Sequence, residues 1–336
     1  MKKRIVILGL AVLLLLSGCT VTDAAAMPLA AGIADQLDKM YMGKDGANYG
    51  ADTPPTDTGT QTEQEDQPEQ ESQADRTYEE GQDTNVGAIE LRNAADLEQL
   101  RSNPDGNFVL AQDITVDRDF QPFGEFRGTL DGQNHWIRGF RLNVDSQQTD
   151  GLFYCFGADA VIKNMKVEIH AVVLETLPTF ISGLVWTNSG QISHCEVQSE
   201  IAGGTAYTPL AYYNAGVIEY CTAVTKARDV ERVYGAFSEN DGSLRNCTVA
   251  INAEGCGAVT GFGYRNWNGI EGCLVAVTAH NVRGIDCVAS QNYADVRNCT
   301  FNLKLTPPEG EEVSWGETLR GNDPHFDDSN IVNIMK

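Results

Sequence analysis

Five cysteines recur at intervals of 26 residues: Cys195, Cys221, Cys247, Cys273 and Cys299. Seven residues before each stands an asparagine, Asn188, Asn214, Asn240, Asn266 and Asn292, again 26 apart. Three residues before each cysteine is Ile192, Ile218, Leu244, Ile270 or Val296, and two after it Val197, Ala223, Val249, Val275 or Phe301. A period of this length, built from strand and turn signals without helical spacing, is the mark of a solenoid. The residues between the Ile slot and the Cys slot are polar, as in Glu219-Tyr220 and Arg245-Asn246, so one side of each strand is wet. The fold class read from the repeat is all-β: a right-handed parallel β-helix of about 26 residues per rung. Met165 and Phe140 continue the Cys slot upstream at irregular spacings, with an insertion in the rung between Met165 and Cys195.

Stacking restricts what the columns can be. An inward Asn at a bend can hydrogen-bond its amide to the Asn above and below, and Asn tolerates the left-handed backbone a sharp bend requires. The five asparagines therefore read as an internal amide ladder. Parallel stacking puts successive Cβ atoms near 4.8 Å apart, beyond the reach of a disulfide. The five cysteines read as free, buried thiols acting as small hydrophobes. Cys155, Cys256 and Cys287 lie off the column, and a bridge between two of them stays open. No C-x-x-C pair or zinc-type His/Cys spacing occurs, so no metal and no cofactor is expected.

Outside the repeat the chain changes character. It opens MKKRIVILGLAVLLLLSGCT, three basic residues and a short apolar run ending in Leu-Ser-Gly-Cys. Residues 1–18 fit a signal peptide, and the ending resembles the bacterial lipobox, which implies lipidation of Cys19 and a membrane anchor. Residues 19–45 hold a possible short helix. Residues 46–86 are rich in Pro, Gly, Gln, Thr and acids and lack the apolar surface to offset ordering entropy, so they read as a disordered linker. From Ala88 the composition is globular, with a short helix in AADLEQLRS capped by Asn93, then the β-helix to residue 305. Residues 306–336 leave the repeat at Pro307-Pro308 and read as a C-terminal cap or tail.

The stretches TFISGLVWTNSGQISHCEV and TDGLFYCFGADAVIKNMKV resemble the GLUG-repeat family, whose pattern is Gly-Leu-apolar, Asn-x-Gly, then Ile-x-Asn-Cys-x-Val. The segment from ADLEQL to FRGTLDGQNHWIRGFRL resembles the cap that precedes such repeats in bacterial surface proteins. Pro209 and Cys287 depart from the pattern in the slot held by Gly183, Gly235 and Gly261. The resemblance implies a β-helical surface lipoprotein and assigns no activity.

Net charge narrows the partners. The chain carries −23, and loss of Lys2, Lys3 and Arg4 with the leader leaves −26. That excludes nucleic acid, which needs a basic face. Catalysis has little to stand on. A glycosidase needs two carboxylates about 5–9 Å apart, whereas Glu219, Arg245, Glu271 and Arg297 alternate in sign and read as an outward charge ladder. Asp131 and His135 in LDGQNH belong to a turn. The better candidates are aromatic: Trp186, Tyr212, Tyr213 and Tyr264, one or two residues before ladder asparagines, would form a binding stripe if their slots face out. The function read here is an envelope-anchored β-helix displayed outside the cytoplasm that binds a glycan or surface protein. The alternatives are a polysaccharide lyase or glycoside hydrolase, and a structural spacer.

Overall fold

The computed structural model describes residues 87–116, 121–142, 148–149, 151–173, 179–316 and 323–335. The leader, Cys19, the possible short helix in 19–45 and the linker reading for 46–86 lie outside these residues.

The described chain winds into a parallel β-solenoid with four sheets, two of nine strands and two of seven, in which each strand pairs with its equivalents one rung away. The period is visible in the register. Ile192 pairs with Ile218, Leu244 with Ile270, and Ile270 with Val296. Five of the seven-residue strands, Glu196–Ala202, Thr222–Arg228, Thr248–Glu254, Leu274–His280 and Thr300–Thr306, stack residue on residue. Alternation along them sends Val197, Ala223, Val249, Val275 and Phe301 inward, all essentially without solvent contact. At the N-terminal end a helical turn, Asp96–Glu98 followed by Gln99–Ser102, places Leu97 and Leu100 in the core. Asn93 Oδ1 starts it by accepting from the amides of Ala95 and Asp96 at 2.9 and 3.1 Å.

Both columns are internal. Asn188 Nδ2 donates to Asn214 Oδ1 at 2.7 Å, and the chain continues through Asn240 and Asn266 to Asn292 at 2.7–2.8 Å. The C-terminal segment ends it: Asn292 Nδ2 donates to Asp323 Oδ2 at 2.9 Å. Replacing Asn240 by Ala would leave the buried Asn214 amide only the long contact to Gly216 O at 3.5 Å and take from the buried Asn266 carbonyl its ladder donor. At about 1–3 kcal/mol for each unsatisfied group, N240A is expected to lose roughly 3 kcal/mol, read as a lower denaturant midpoint. A midpoint equal to the parent's would remove the ladder as a source of stability.

The ladder cysteines are buried and carry free thiols. Each Sγ donates to the carbonyl two residues earlier, for example Cys247 to Arg245 at 3.2 Å and Cys273 to Glu271 at 3.3 Å. The amides of Cys247 and Cys273 donate in turn to the Sγ one rung on, at 3.4 Å. Cys256 and Cys287 are also free, so no bridge joins any two of Cys155, Cys256 and Cys287, although Cys155 itself is disulfide-bonded.

Three details differ from the repeat as read. Phe140 pairs with Ile169, so it does not share a slot with Met165; Leu130 sits beside Ile162, and Gln133 and Asn134 make the following turn two residues longer. The left-handed corner is not at the ladder asparagines. It falls one residue before each Cys slot, at Asn164, His194, Tyr220, Asn246, Gly272 and Asn298, with φ between 51° and 66°. The ladder residues end extended strands instead, where their amides reach along the axis. Finally, residues beyond 306 continue the winding: Ile331–Met335 adds a strand beside Thr300–Thr306 and Ser314–Trp315 one beside Gly284–Asp286.

One inward hydroxyl is unmatched. Thr225 stacks between Ser199 and Ile251 in the core, and its Oγ1 has no partner among the described residues. Thr225→Val keeps the shape and removes the buried polar atom, so it is expected to raise stability by about 1 kcal/mol, as a higher urea midpoint at unchanged m-value. A lower midpoint would show that the hydroxyl is satisfied.

Candidate functional site

The sheet that carries the Asn ladder contains the strands Val185–Asn188, Ala211–Asn214, Phe237–Asn240, Gly263–Asn266 and Ala289–Asn292. Because rungs stack in register, the flanking residues also form columns. The four aromatic candidates do not make one open stripe. Trp186 is 6% exposed and stacks on Tyr212 with centroids 4.0 Å apart and planes 3° off parallel. Phe180 meets Tyr212 edge-on at 6.0 Å. These rings spend their faces on one another, and Ser238 and Ser290 interrupt the column.

Tyr213 and Tyr264 belong to a polar cluster that spans four rungs, from Tyr213 to Gln291. The Tyr213 hydroxyl donates to Asp241. Arg265 Nη1 lies 3.3 Å from Glu239 Oε1, its Nε donates to Gln291 Oε1 at 2.9 Å, and its Cζ sits 4.8 Å from the Tyr264 ring centroid. Burial pushes the Glu239 carboxyl above its ordinary value, Arg265 pulls it back, and Asp241 pushes it further up. Burial, then the bond to Asp241, raises the Tyr213 phenol.

The column immediately after the ladder, Ser189, Ala215, Asp241, Trp267 and Tyr293, was not among the sequence candidates. It carries the open aromatic surface. Trp267 is 43% exposed and Tyr293 52%, with centroids 6.1 Å apart and planes 15° off parallel. Backbone bonds fix both: the Trp267 amide donates to Asn240 O at 2.9 Å and the Tyr293 amide to Asn266 O at 2.8 Å. The Tyr293 hydroxyl donates to Gln291 Oε1 at 3.2 Å, tying the platform to Arg265, whose Cζ is 5.7 Å from the Trp267 ring. Extending the 26-residue comparison one slot past the asparagines would have exposed this pair.

On the other side of the same turn lies an open depression of about 310 Å³ lined by Ser243, Arg245, Asn268, Gly269, Ile270, Glu271, Asp295 and Arg297. The charge ladder runs through it, since Glu219 pairs in register with Arg245, Arg245 with Glu271, and Glu271 with Arg297. Among the described residues these neighbours do not close ion pairs with one another: Arg297 binds Asp295 in its own rung, and Glu219 accepts from Gln191 at 2.9 Å. The column turns inward upstream, where Lys163 Nζ lies 3.4 Å from Asp131 Oδ2 and both are buried. Asp131 Oδ1 also accepts from the Gln133 amide and Asn164 Nδ2. His135 directs Nδ1 to Asp113, 3.2 Å away. Asp131 is thus a structural turn residue. Among the described residues no His, Cys, Asp or Glu group could hold a metal ion.

The geometry defines a repeat-built β-solenoid with an exposed aromatic platform beside a polar depression. No protein-family model matches the chain. Over 131 residues it is 26% identical to a protein of Evansella cellulosilytica described as "Putative Gly-rich membrane protein"; the match covers 35% of this chain and 15% of that protein. A solved structure from Bacteroides ovatus, described as a "putative immunoglobulin A1 protease", superposes with a TM-score of 0.41 at 16% identity, covering 74% of this chain and 84% of that one. No helix among the described residues is long and apolar enough to cross a membrane.

Proposed function

We propose that this chain is an envelope-anchored lipoprotein of the GLUG-repeat type whose β-helix binds glycan. The observation that carries the binding reading is the stacked, half-exposed Trp267–Tyr293 pair, held by backbone bonds and flanked by Arg265. A stacked aromatic pair beside hydrogen-bonding groups suits the apolar face of a sugar ring. The full chain on a glycan array is the test. Retention of a glycan class by the parent and its loss in Trp267→Ala supports the reading. An empty array turns it toward a protein ligand.

The anchor rests on the Leu-Ser-Gly-Cys ending. Cys19→Ala is expected to move the protein from the membrane fraction to the soluble one, since two or more acyl chains hold a protein stably at a bilayer. Continued membrane retention would discard the anchor.

One observation favours a second reading, polysaccharide cleavage: Glu271 and Asp295 line the same depression. Asp295 is already engaged by Arg297 and His325, however. Release of shorter products from a bound glycan, abolished in Glu271→Gln, would establish that reading.

A further inference from the structure

We infer that the depression next to the Trp267 turn is a subsite for a neutral, hydroxyl-rich pyranose unit, the neighbour in one glycan chain of the unit stacked on the Trp267–Tyr293 platform; this rests on the glycan-binding reading above. The chemistry of the lining decides the class. Two guanidinium groups, Arg245 and Arg297, face two carboxylates, Glu271 and Asp295, so the formal charge of the depression is zero. A phosphate or uronate would meet the carboxylates of Glu271 and Asp295 in the same depression, and one of the two guanidinium groups, Arg297, is already paired with Asp295. The whole chain, at −23, repels polyanions at longer range. A sugar hydroxyl both donates and accepts, and the lining supplies both kinds of partner within one rung spacing: guanidinium and amide donors, carboxylate acceptors.

Position supports the same assignment. Asn268 follows Trp267 directly and lines the depression, and its side chain is locked, Nδ2 donating to Asp241 O at 2.9 Å and Oδ1 accepting from the Gly269 amide at 2.7 Å. These two bonds set the Asn268 side chain in the turn that joins platform to depression. The volume, about 310 Å³, lies at the small end of ligand sites, roughly 300–1,000 Å³, which suits one sugar unit of a longer chain.

The test compares the full chain with Trp267→Ala and Glu271→Gln by affinity electrophoresis in neutral polysaccharides (a β-glucan and a galactomannan) and acidic ones (polygalacturonate and alginate). Both altered side chains are exposed, and thermal melts check that each variant is folded. The expected result is retardation by a neutral polysaccharide, unchanged from about 0.05 to 0.5 M salt, and weakened about tenfold or more by either substitution. Retardation by acidic polymers alone, fading with salt, would overturn this inference and leave glycan binding standing. So would neutral binding lost in Trp267→Ala but untouched in Glu271→Gln. No retardation by any of the four would overturn this inference together with the glycan reading.

Discussion

Under reducing conditions, raising the pH from 8 to 10 is expected to remove roughly 6 kcal/mol of stability through Cys221, Cys247 and Cys273 alone. Burial lifts the Cys221 thiol well above its ordinary value. In Cys247 and Cys273 the larger cause is the neighbouring thiol of the stack, with burial added. A group whose folded pKa is raised stabilises fully below its unfolded pKa, near 8.5 for Cys, and loses that contribution as pH climbs toward the folded value. Above pH 8.5 the unfolded chain ionises each thiol and the folded chain does not, so unfolding gains about 1.4 kcal/mol per thiol per pH unit, or about 2 kcal/mol per thiol at pH 10. The three together approach the whole stability of an ordinary domain, about 5–15 kcal/mol. Denaturation across this range should show a steep fall, and Cys247→Ala should flatten the slope by about 1.4 kcal/mol per pH unit. An identical slope in that variant would mean the stack does not set the alkaline limit.

Asp131→Ala is expected to cost about 3–5 kcal/mol, the usual penalty for removing one member of a buried ion pair. Lys163 would stay buried without the carboxylate at 3.4 Å, and the turn at Gln133 and Asn134, both with positive φ, would lose the Asp131 oxygen that holds the Gln133 amide. Two further variants separate these causes. Asp131→Asn keeps an acceptor for Gln133 and removes only the charge. Adding Lys163→Met to it removes both charges and should recover much of the loss, because apolar replacements of buried ion pairs are often neutral. If the double variant is no more stable than Asp131→Asn, the charge of Lys163 is not what the pair contends with.

The repeat and its core were legible because a solenoid converts sequence period directly into spatial neighbourhood. Cys247 needs no tertiary information to be placed beside Cys221 and Cys273; a 26-residue step does it, and Asn240 follows by the same step. The left-handed corner was misassigned because Asn occurs in both places, at Asn240 and at Asn246, and only backbone dihedrals distinguish an amide that stacks from one that tolerates positive φ. Phe140 was misplaced because two extra residues at Gln133 and Asn134 shift the register of one rung, and apolar residues at neighbouring positions fit either alignment.

The candidate site divides along a different line. Period and polarity alone set which residues share a column: Trp186 with Tyr212, Glu219 with Arg245, Trp267 with Tyr293. Which columns meet solvent depends on how sharply the chain bends between sheets, and a linear pattern does not carry that angle. Trp186 and Tyr212 close on each other, while Trp267 and Tyr293, just past the bend, keep faces open to water. Stacking in a parallel solenoid is one-dimensional and can be counted from the chain; exposure is set by curvature, and curvature exists only once every rung is folded on its neighbours.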